Sequence, residues 1–251
     1  MDNGSICIVI PCYNEEKRLP IEQIKKALLN DAGLELCMVN DGSSDGTGSV
    51  LKKLVLEDPT RIRSIDLQKN SGKAEAVRQG MLKMANESKA EYIGYFDADL
   101  ATPLEEARKM TERVPAESKV VMVAGSRVKL LGSTDIQRLW YRHYFGRVFA
   151  TTVSNMLDLS VYDTQCGAKL FKRSVVKDLF QESFKSKWLF DVELFYRCLI
   201  LYGRTEASER IFELNVGQWH EIDGSKIKPG FILKVPLELW TIRRHYASRV
   251  T

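Results

Sequence analysis

The sequence contains no apolar run approaching the roughly 18–20 residues that a helical membrane span needs. The chain is therefore not expected to cross a bilayer by itself. Residues Met1–Ser5 are too short and polar to lead a signal peptide. The five cysteines, Cys7, Cys12, Cys37, Cys166 and Cys198, are odd in number and scattered. No CxxC or CxxH pair occurs, which argues against zinc, and the expectation is reduced thiols in a cytoplasmic protein. There is no internal repeat, low-complexity segment or linker. No G-x-G-x-x-G follows a strand-like run, so a dinucleotide fold is not supported. A phosphate-binding G-x-x-x-x-G-K-[ST] loop fails too, because Leu67 stands where its first glycine would be. Charge of one sign is also missing overall, with 37 Lys/Arg against 33 Asp/Glu. The distribution is uneven: residues 1–126 hold 17 basic against 20 acidic (−3), and residues 127–251 hold 20 against 13 (+7). An anionic partner would meet the second half.

Among the 251 residues, 44% are hydrophobic and 28% charged, the make-up of a globular protein with a sizeable core. In the first half, short apolar runs alternate with helical patterns. Strands are expected over Ile6–Ile10, Leu36–Asn40, Ile62–Asp66, Tyr92–Phe96 and Val120–Ala124. Helices are expected near Ile21–Asn30, Gly46–Glu57, Lys73–Asn86 and Pro103–Arg113. This is the pattern of βαβ units around a mostly parallel sheet covered on both faces. The second half reads as a long helix over Ile136–Leu157, another over Leu189–Tyr202, a strand at Ile211–Val216 and an apolar, basic end over Phe231–Tyr246. One domain is expected over 1–251, with a nucleotide-binding half (1–126) and an acceptor-binding half (127–251).

Ligands of open α/β sheets bind beyond the carboxyl ends of the strands. Five successive strands end here in polar or Gly-rich segments: Pro11-Cys12-Tyr13-Asn14-Glu15, Asn40-Asp41-Gly42-Ser43-Ser44-Asp45-Gly46-Thr47, Asn70-Ser71-Gly72-Lys73, Asp97-Ala98-Asp99 and Gly125-Ser126-Arg127. One such end is a turn; five suggest a composite site. At a strand-to-loop bend the carboxylates of Asp97 and Asp99 can converge, and hard oxygen ligands suit Mg²⁺ or Mn²⁺ shared with substrate phosphates. An acidic turn is the plainer alternative. Asp41 is a candidate acceptor for a base or ribose, or else part of a turn and helix cap. Lys73 faces a phosphate or is a solvated lysine at a helix start.

In order and spacing these segments resemble family 2 glycosyltransferases of the GT-A fold, over roughly residues 5–220. Asp97-Ala98-Asp99-Leu100-Ala101-Thr102-Pro103, Asp163-Thr164-Gln165-Cys166-Gly167, Trp188-Leu189-Phe190-Asp191-Val192-Glu193 and Trp219-His220-Glu221-Ile222-Asp223-Gly224-Ser225-Lys226 narrow the likeness. They resemble dolichyl-phosphate β-glucosyltransferases and related polyprenyl-phosphate glycosyltransferases. The departure is a flanking transmembrane helix, which many of that group carry and these residues do not. The resemblance implies a GT-A fold with a helical C-terminal elaboration. It implies inverting transfer of a hexose, glucose first, from a UDP-sugar to a polyprenyl phosphate with a divalent metal. Pro11, Tyr13, Glu15, Asp41, Lys73 and Asp97 would line the nucleotide. Asp97, Asp99 and Gln165 would meet the metal. Asp191, Asp99 and Arg127 would carry the chemistry. Gln165, Ser225 and Lys226 would approach the acceptor.

A lipid phosphate is already largely ionised near neutral pH, so Asp191 need not act as a base; a hydroxyl acceptor would need one. Asp191 also reads as a carboxylate favoured at a helix N-terminus. Arg138 and Arg142 share a helix face, as do Trp140 and Tyr144. With Arg127 these arginines are candidates for an acceptor-phosphate clamp, or else a solvated basic face. The apolar, basic end suits reversible contact with a membrane surface, placing the chain at the cytoplasmic membrane face; it suits packing against a second copy equally well, which leaves a homo-oligomer open. No basic recognition motif points to nucleic acid. Two other functions remain open: a family 2 transferase with a soluble or polysaccharide hydroxyl acceptor, and a sugar-nucleotide-binding protein without catalysis.

Overall fold

A computed structural model describes residues 4–128, 135–137, 140–220 and 233–250, with 135–137, 140–145 and 220 described by backbone alone. In the first half, strands and helices alternate as β1 (Ile6–Cys12), α1 (Ile21–Asn30), β2 (Leu34–Asn40), α2 (Thr47–Glu57), β3 (Ile62–Asp66), α3 (Lys73–Glu87), β4 (Tyr92–Phe96), α4 (Glu105–Glu112) and β5 (Met122–Ser126). Then come β6 (Asp135–Gln137), α5 (Trp140–Leu157), β7 (Ala168–Lys172), α6 (Arg173–Phe180) and α7 (Phe190–Arg210). The chain continues with β8 (Ile211–Asn215), β9 (Gln218–His220) and α8 (Val235–Tyr246).

Seven strands form one sheet in the order β3-β2-β1-β4-β7-β5-β8. All pairings are parallel except those of β7, which runs antiparallel between β4 and β5. The central strands bury both faces, which is why they read as unbroken apolar runs. Ile6, Ile8 and Ile10 pack into one core layer with Leu36 and Met38, while Cys7 and Val9 pack into the opposite layer with Cys37 and Val39. The five cysteines are buried free thiols. Burial pushes those of Cys37 and Cys198 up to about 12, so they behave as small apolar groups.

Several expected elements shift. The fifth strand is Met122–Ser126, two residues later than Val120–Ala124, because Ser126 continues the parallel ladder with Asn215. The expected helix over Ile136–Leu157 begins only at Trp140; Asp135–Gln137 is a strand paired with Gln218–His220. The helix expected over Leu189–Tyr202 extends to Arg210 through a break at Gly203, whose φ is 75°. Pro236 lies in the first turn of α8, where its missing N–H costs nothing, so it begins that helix.

Candidate functional site

The polar ends of β1 and β2 brace one another. The Asn14 amide donates to Ser43 Oγ (3.0 Å), the Ser44 amide donates to Asn14 Oδ1 (2.9 Å), and the Glu15 amide donates to Thr47 Oγ1 (2.8 Å). Asn14 holds φ at 50°, a left-handed conformation that asparagine tolerates better than most side chains. Glu15 is buried, with its carboxylate 3.7 Å from Arg18 Nε. Tyr13 is 37% exposed at the rim. Pro11 sits inside β1 opposite Val39.

Asp41 follows β2 and is buried. Its two carboxylate oxygens accept the backbone amides of Ser71 (2.7 Å) and Gly72 (2.9 Å). Burial raises the carboxyl above its usual range against the pull of these two amides. Expected as a base or ribose acceptor, Asp41 first fixes the turn that delivers Lys73 to the site. Asp41→Ala should therefore loosen this turn and lower stability by about 1.5–3 kcal/mol, the cost of a charge-assisted hydrogen bond. Urea unfolding of the variant checks this, and unchanged stability contradicts it.

Lys73 begins α3 and places Nζ 2.5 Å from Asp97 Oδ1. Burial depresses its ammonium, but Asp97 and Asp191 more than offset that and hold it above the ordinary lysine range. Asp99 accepts the Ala101 amide (3.1 Å), and burial followed by the Asp97 charge raises its carboxyl. Between Asp99 and Ala101, Leu100 holds φ at 49°, a strained backbone of the kind that clusters at functional sites. Two carboxylates and an ammonium thus meet at the end of β4.

The segment 162–167 lies against them and is pinned from four sides. The Glu213 carboxylate on β8 accepts the amides of Tyr162 (2.8 Å) and Asp163 (2.6 Å). Asp163 grips Arg127 through Nε (2.7 Å) and Nη2 (2.9 Å). Lys169 Nζ donates to the carbonyls of Thr164 (2.9 Å) and Cys166 (2.8 Å). The Asp97 amide donates to the Gly167 carbonyl (3.0 Å). A Cβ on Gly167 would stand 2.0 Å from Asp97 Oδ2, so only glycine lets the carboxylate lie against this backbone. The Gln165 Nε2 atom is buried without a hydrogen-bond partner among the described residues, which marks a polar group left over for a ligand.

Lys169 and Asp191 are the centre of the buried layer beneath. Lys169 is fully buried, and its third donor goes to Asp191 Oδ1 at 2.5 Å. Tyr95 Oη donates to the same oxygen at 2.5 Å. An ammonium has three donors, and all three are used. Lys169, Tyr95 and Glu213 are the site residues that sequence reasoning missed. The signal for Lys169 was a lone lysine inside the apolar run Ala168–Phe171.

The structure therefore brings together Glu15, Asp41, Lys73, Asp97, Asp99, Gln165 and Asp191 along one sheet edge. Arg127, expected as an acceptor clamp, is instead committed in large part to Asp163, with its guanidinium 5.6 Å from the Trp219 ring centre. Arg138, Ser225 and Lys226 lie outside the described residues, and so does the side chain of Arg142.

Among the described residues no three His, Cys, Asp or Glu side chains gather as a self-sufficient metal cage. Two hard carboxylates at this strand end still suit a divalent ion whose remaining ligands come from a diphosphate. The donor set fits such an ion.

The family model Glycosyl transferase family 2 matches residues 7–180. The dolichyl-phosphate beta-glucosyltransferase of Homo sapiens is 32% identical over 257 residues, covering 97% of this chain and 76% of that protein. That of Saccharomyces cerevisiae is 30% identical over 266 residues, covering 96% and 75%. Among solved structures, glucosyl-3-phosphoglycerate synthase from Mycobacterium tuberculosis with UDP superposes with a TM-score of 0.64 at 17% identity, covering 96% of this chain and 80% of that one. A mannosyltransferase from Pyrobaculum calidifontis with GDP-Man and Mn²⁺ gives 0.64 at 15% identity, covering 99% and 65%. These neighbours share the mostly parallel, helix-flanked sheet.

Proposed function

Because the chain belongs to glycosyl transferase family 2, we propose that it moves a glucosyl unit from UDP-glucose to a polyprenyl (dolichyl-like) phosphate, inverting the anomeric carbon. The names of the curated relatives support the sugar and the acceptor. The UDP bound to the glucosyl-3-phosphoglycerate synthase neighbour supports the donor. The reaction belongs at the cytoplasmic face of a membrane, where a nucleotide sugar and a lipid phosphate meet. Among the described residues no helix is long and apolar enough to cross that membrane.

One observation carries the acceptor half of this reading. Asp191 Oδ1 already accepts from both Lys169 and Tyr95. That oxygen is already engaged by two donors, which leaves it little room to take a proton from a hydroxyl. An acceptor that brings its own negative oxygen needs no such step. In the proposed transfer, a phosphate oxygen forms the new bond to the anomeric carbon. The bond to the UDP oxygen breaks on the opposite face, and its electron pair leaves with UDP.

Asp97 and Asp99 would hold a divalent ion, Mg²⁺ or Mn²⁺, which supplies positive charge to the departing diphosphate. Lys73 adds a cation of this chain's own at the same place, held there by the turn that Asp41 fixes. Lys169 holds the 164–166 backbone through the carbonyls of Thr164 and Cys166, in the segment that carries the unpartnered Gln165 amide. Incubation with radiolabelled UDP-glucose, Mn²⁺ and a short polyprenyl phosphate should put label into the organic phase as a β-linked product. Free glucose or labelled polymer alone overturns the acceptor.

A further inference from the structure

The outer face of α8 has no role in the site described above. Leu233, Leu237 and Trp240 are 85%, 64% and 56% exposed. Leu237, Trp240 and Arg244 recur at i, i+3 and i+7, one stripe of the helix, and Leu233 lies in the turn just before it. The inner face, Leu239, Ile242 and Tyr246, is buried in the core, so the helix is held rigidly while the stripe is offered outward. At its far end a cavity of about 360 Å³ is lined by Trp240, Arg243, Arg244, Ala247 and Ser248. The Arg244 guanidinium stands 5.4 Å from the Trp240 ring centre. Among the described residues, neither Arg243 nor Arg244 forms an ion pair. The helix carries a single acid, Glu238, and that side chain is tied to Ser186 Oγ.

We propose that this face of α8 is a docking surface for an anionic phospholipid bilayer, with Leu233, Leu237 and Trp240 entering the interface and Arg243, Arg244 and Ser248 receiving a lipid headgroup phosphate. The chemistry selects that occupant. Exposed leucine and tryptophan beside arginine suit the boundary between acyl chains and headgroups. A two-fold contact between copies through the same stripe would set arginine against arginine, whereas an anionic surface neutralises them. The helix is also tied to the catalytic edge. Tyr246 Oη donates to Glu193 (2.7 Å), Glu238 meets Ser186, and the carbonyl of Lys187 accepts the Ala74 amide (3.3 Å) next to Lys73. Docking on α8 would therefore hold the transfer site at a fixed attitude to the membrane. The inference deepens the lipid-acceptor reading by naming the surface, and it is measured by binding without turnover, so the two fail separately.

The test is cosedimentation of the full chain with sucrose-loaded vesicles of phosphatidylcholine alone or mixed with phosphatidylglycerol, at low and high salt. The wild type should sediment with the anionic vesicles at low salt and be released by high salt. Arg243→Ala with Arg244→Ala should weaken partitioning by about thirtyfold, the conversion of roughly 1 kcal/mol per arginine near an anionic surface. Leu237→Ser with Trp240→Ser should abolish it. Calorimetric UDP binding, expected to be unchanged in both double variants, reports that they remain folded. Trp240→Phe should remove a blue shift of tryptophan emission on vesicles. The proposal is overturned if the wild type stays in solution with anionic vesicles, or if the double variants sediment like it. It is equally overturned if light scattering finds a dimer that Leu237→Ser dissociates, which would make the stripe a contact between copies.

Discussion

Asp99→Asn should abolish sugar transfer while leaving the fold at least as stable as the wild type. The amide keeps an oxygen for the Ala101 N–H but cannot ligate a cation as a carboxylate does. Without that ligand the departing diphosphate loses its counter-charge, and turnover should fall by about a hundredfold or more. The stability half follows from linkage. Burial and Asp97 raise the Asp99 carboxyl above its unfolded value. The native state therefore binds that proton more tightly than the unfolded chain. Its contribution to stability is present below the unfolded pKa and is lost as pH rises through the folded one. At neutral pH the ionised Asp99 is a cost to the ligand-free fold, which a neutral amide removes. Melting curves of Asp99→Asn near neutral pH should lie at or above those of the wild type, and Mn²⁺ should raise the melting temperature of the wild type alone. A chelator in excess should silence the wild type. Full activity of Asp99→Asn, or of the wild type in chelator, contradicts the assignment.

Lys169→Met should be the most destabilising single change at the site. It leaves the Asp191 carboxylate buried without its cation and strips a donor from the carbonyls of Thr164 and Cys166. Removing one partner of a buried ion pair costs about 3–5 kcal/mol, most of it the penalty of the charge left behind. Adding Asp191→Asn should recover part of that loss, since the orphaned charge disappears. Urea unfolding of the two variants measures both steps. Equal stability of Lys169→Met and the wild type would mean that this lysine does not hold the layer.

The strand ends were legible because most follow a buried apolar run with a sudden polar or glycine-rich tail, and a parallel sheet collects such tails on one edge. That logic located Asp41, Lys73, Asp97 and Asp99 without knowledge of any contact. It could not reach β7. The run Ala168–Lys172 has a lysine at its second position, and nothing in a βαβ rhythm announces a strand that inserts backwards between β4 and β5. Lys169 was hidden for the same reason: periodicity locates buried positions, not the charge pairs that satisfy them. Asp41 shows a related limit. A carboxylate after a strand reads as a ligand contact, yet here two backbone amides hold it first. The small strand at Asp135–Gln137 was absorbed into a helical pattern because its partner, Gln218–His220, lies some eighty residues away in the chain.

The acceptor is the point on which the account turns, and one paired assay addresses it most directly. Wild-type protein is given UDP-glucose and Mn²⁺ with either a polyprenyl phosphate or the polyprenol of the same length. The lipid tails are identical, so only the nucleophile differs. An acceptor that is already an oxyanion should be glucosylated, and the alcohol should not, because Asp191 Oδ1 is already engaged by Lys169 and Tyr95 and the alcohol brings no negative oxygen of its own. Glucosylation of the polyprenol at a rate matching that of the phosphate would contradict the account.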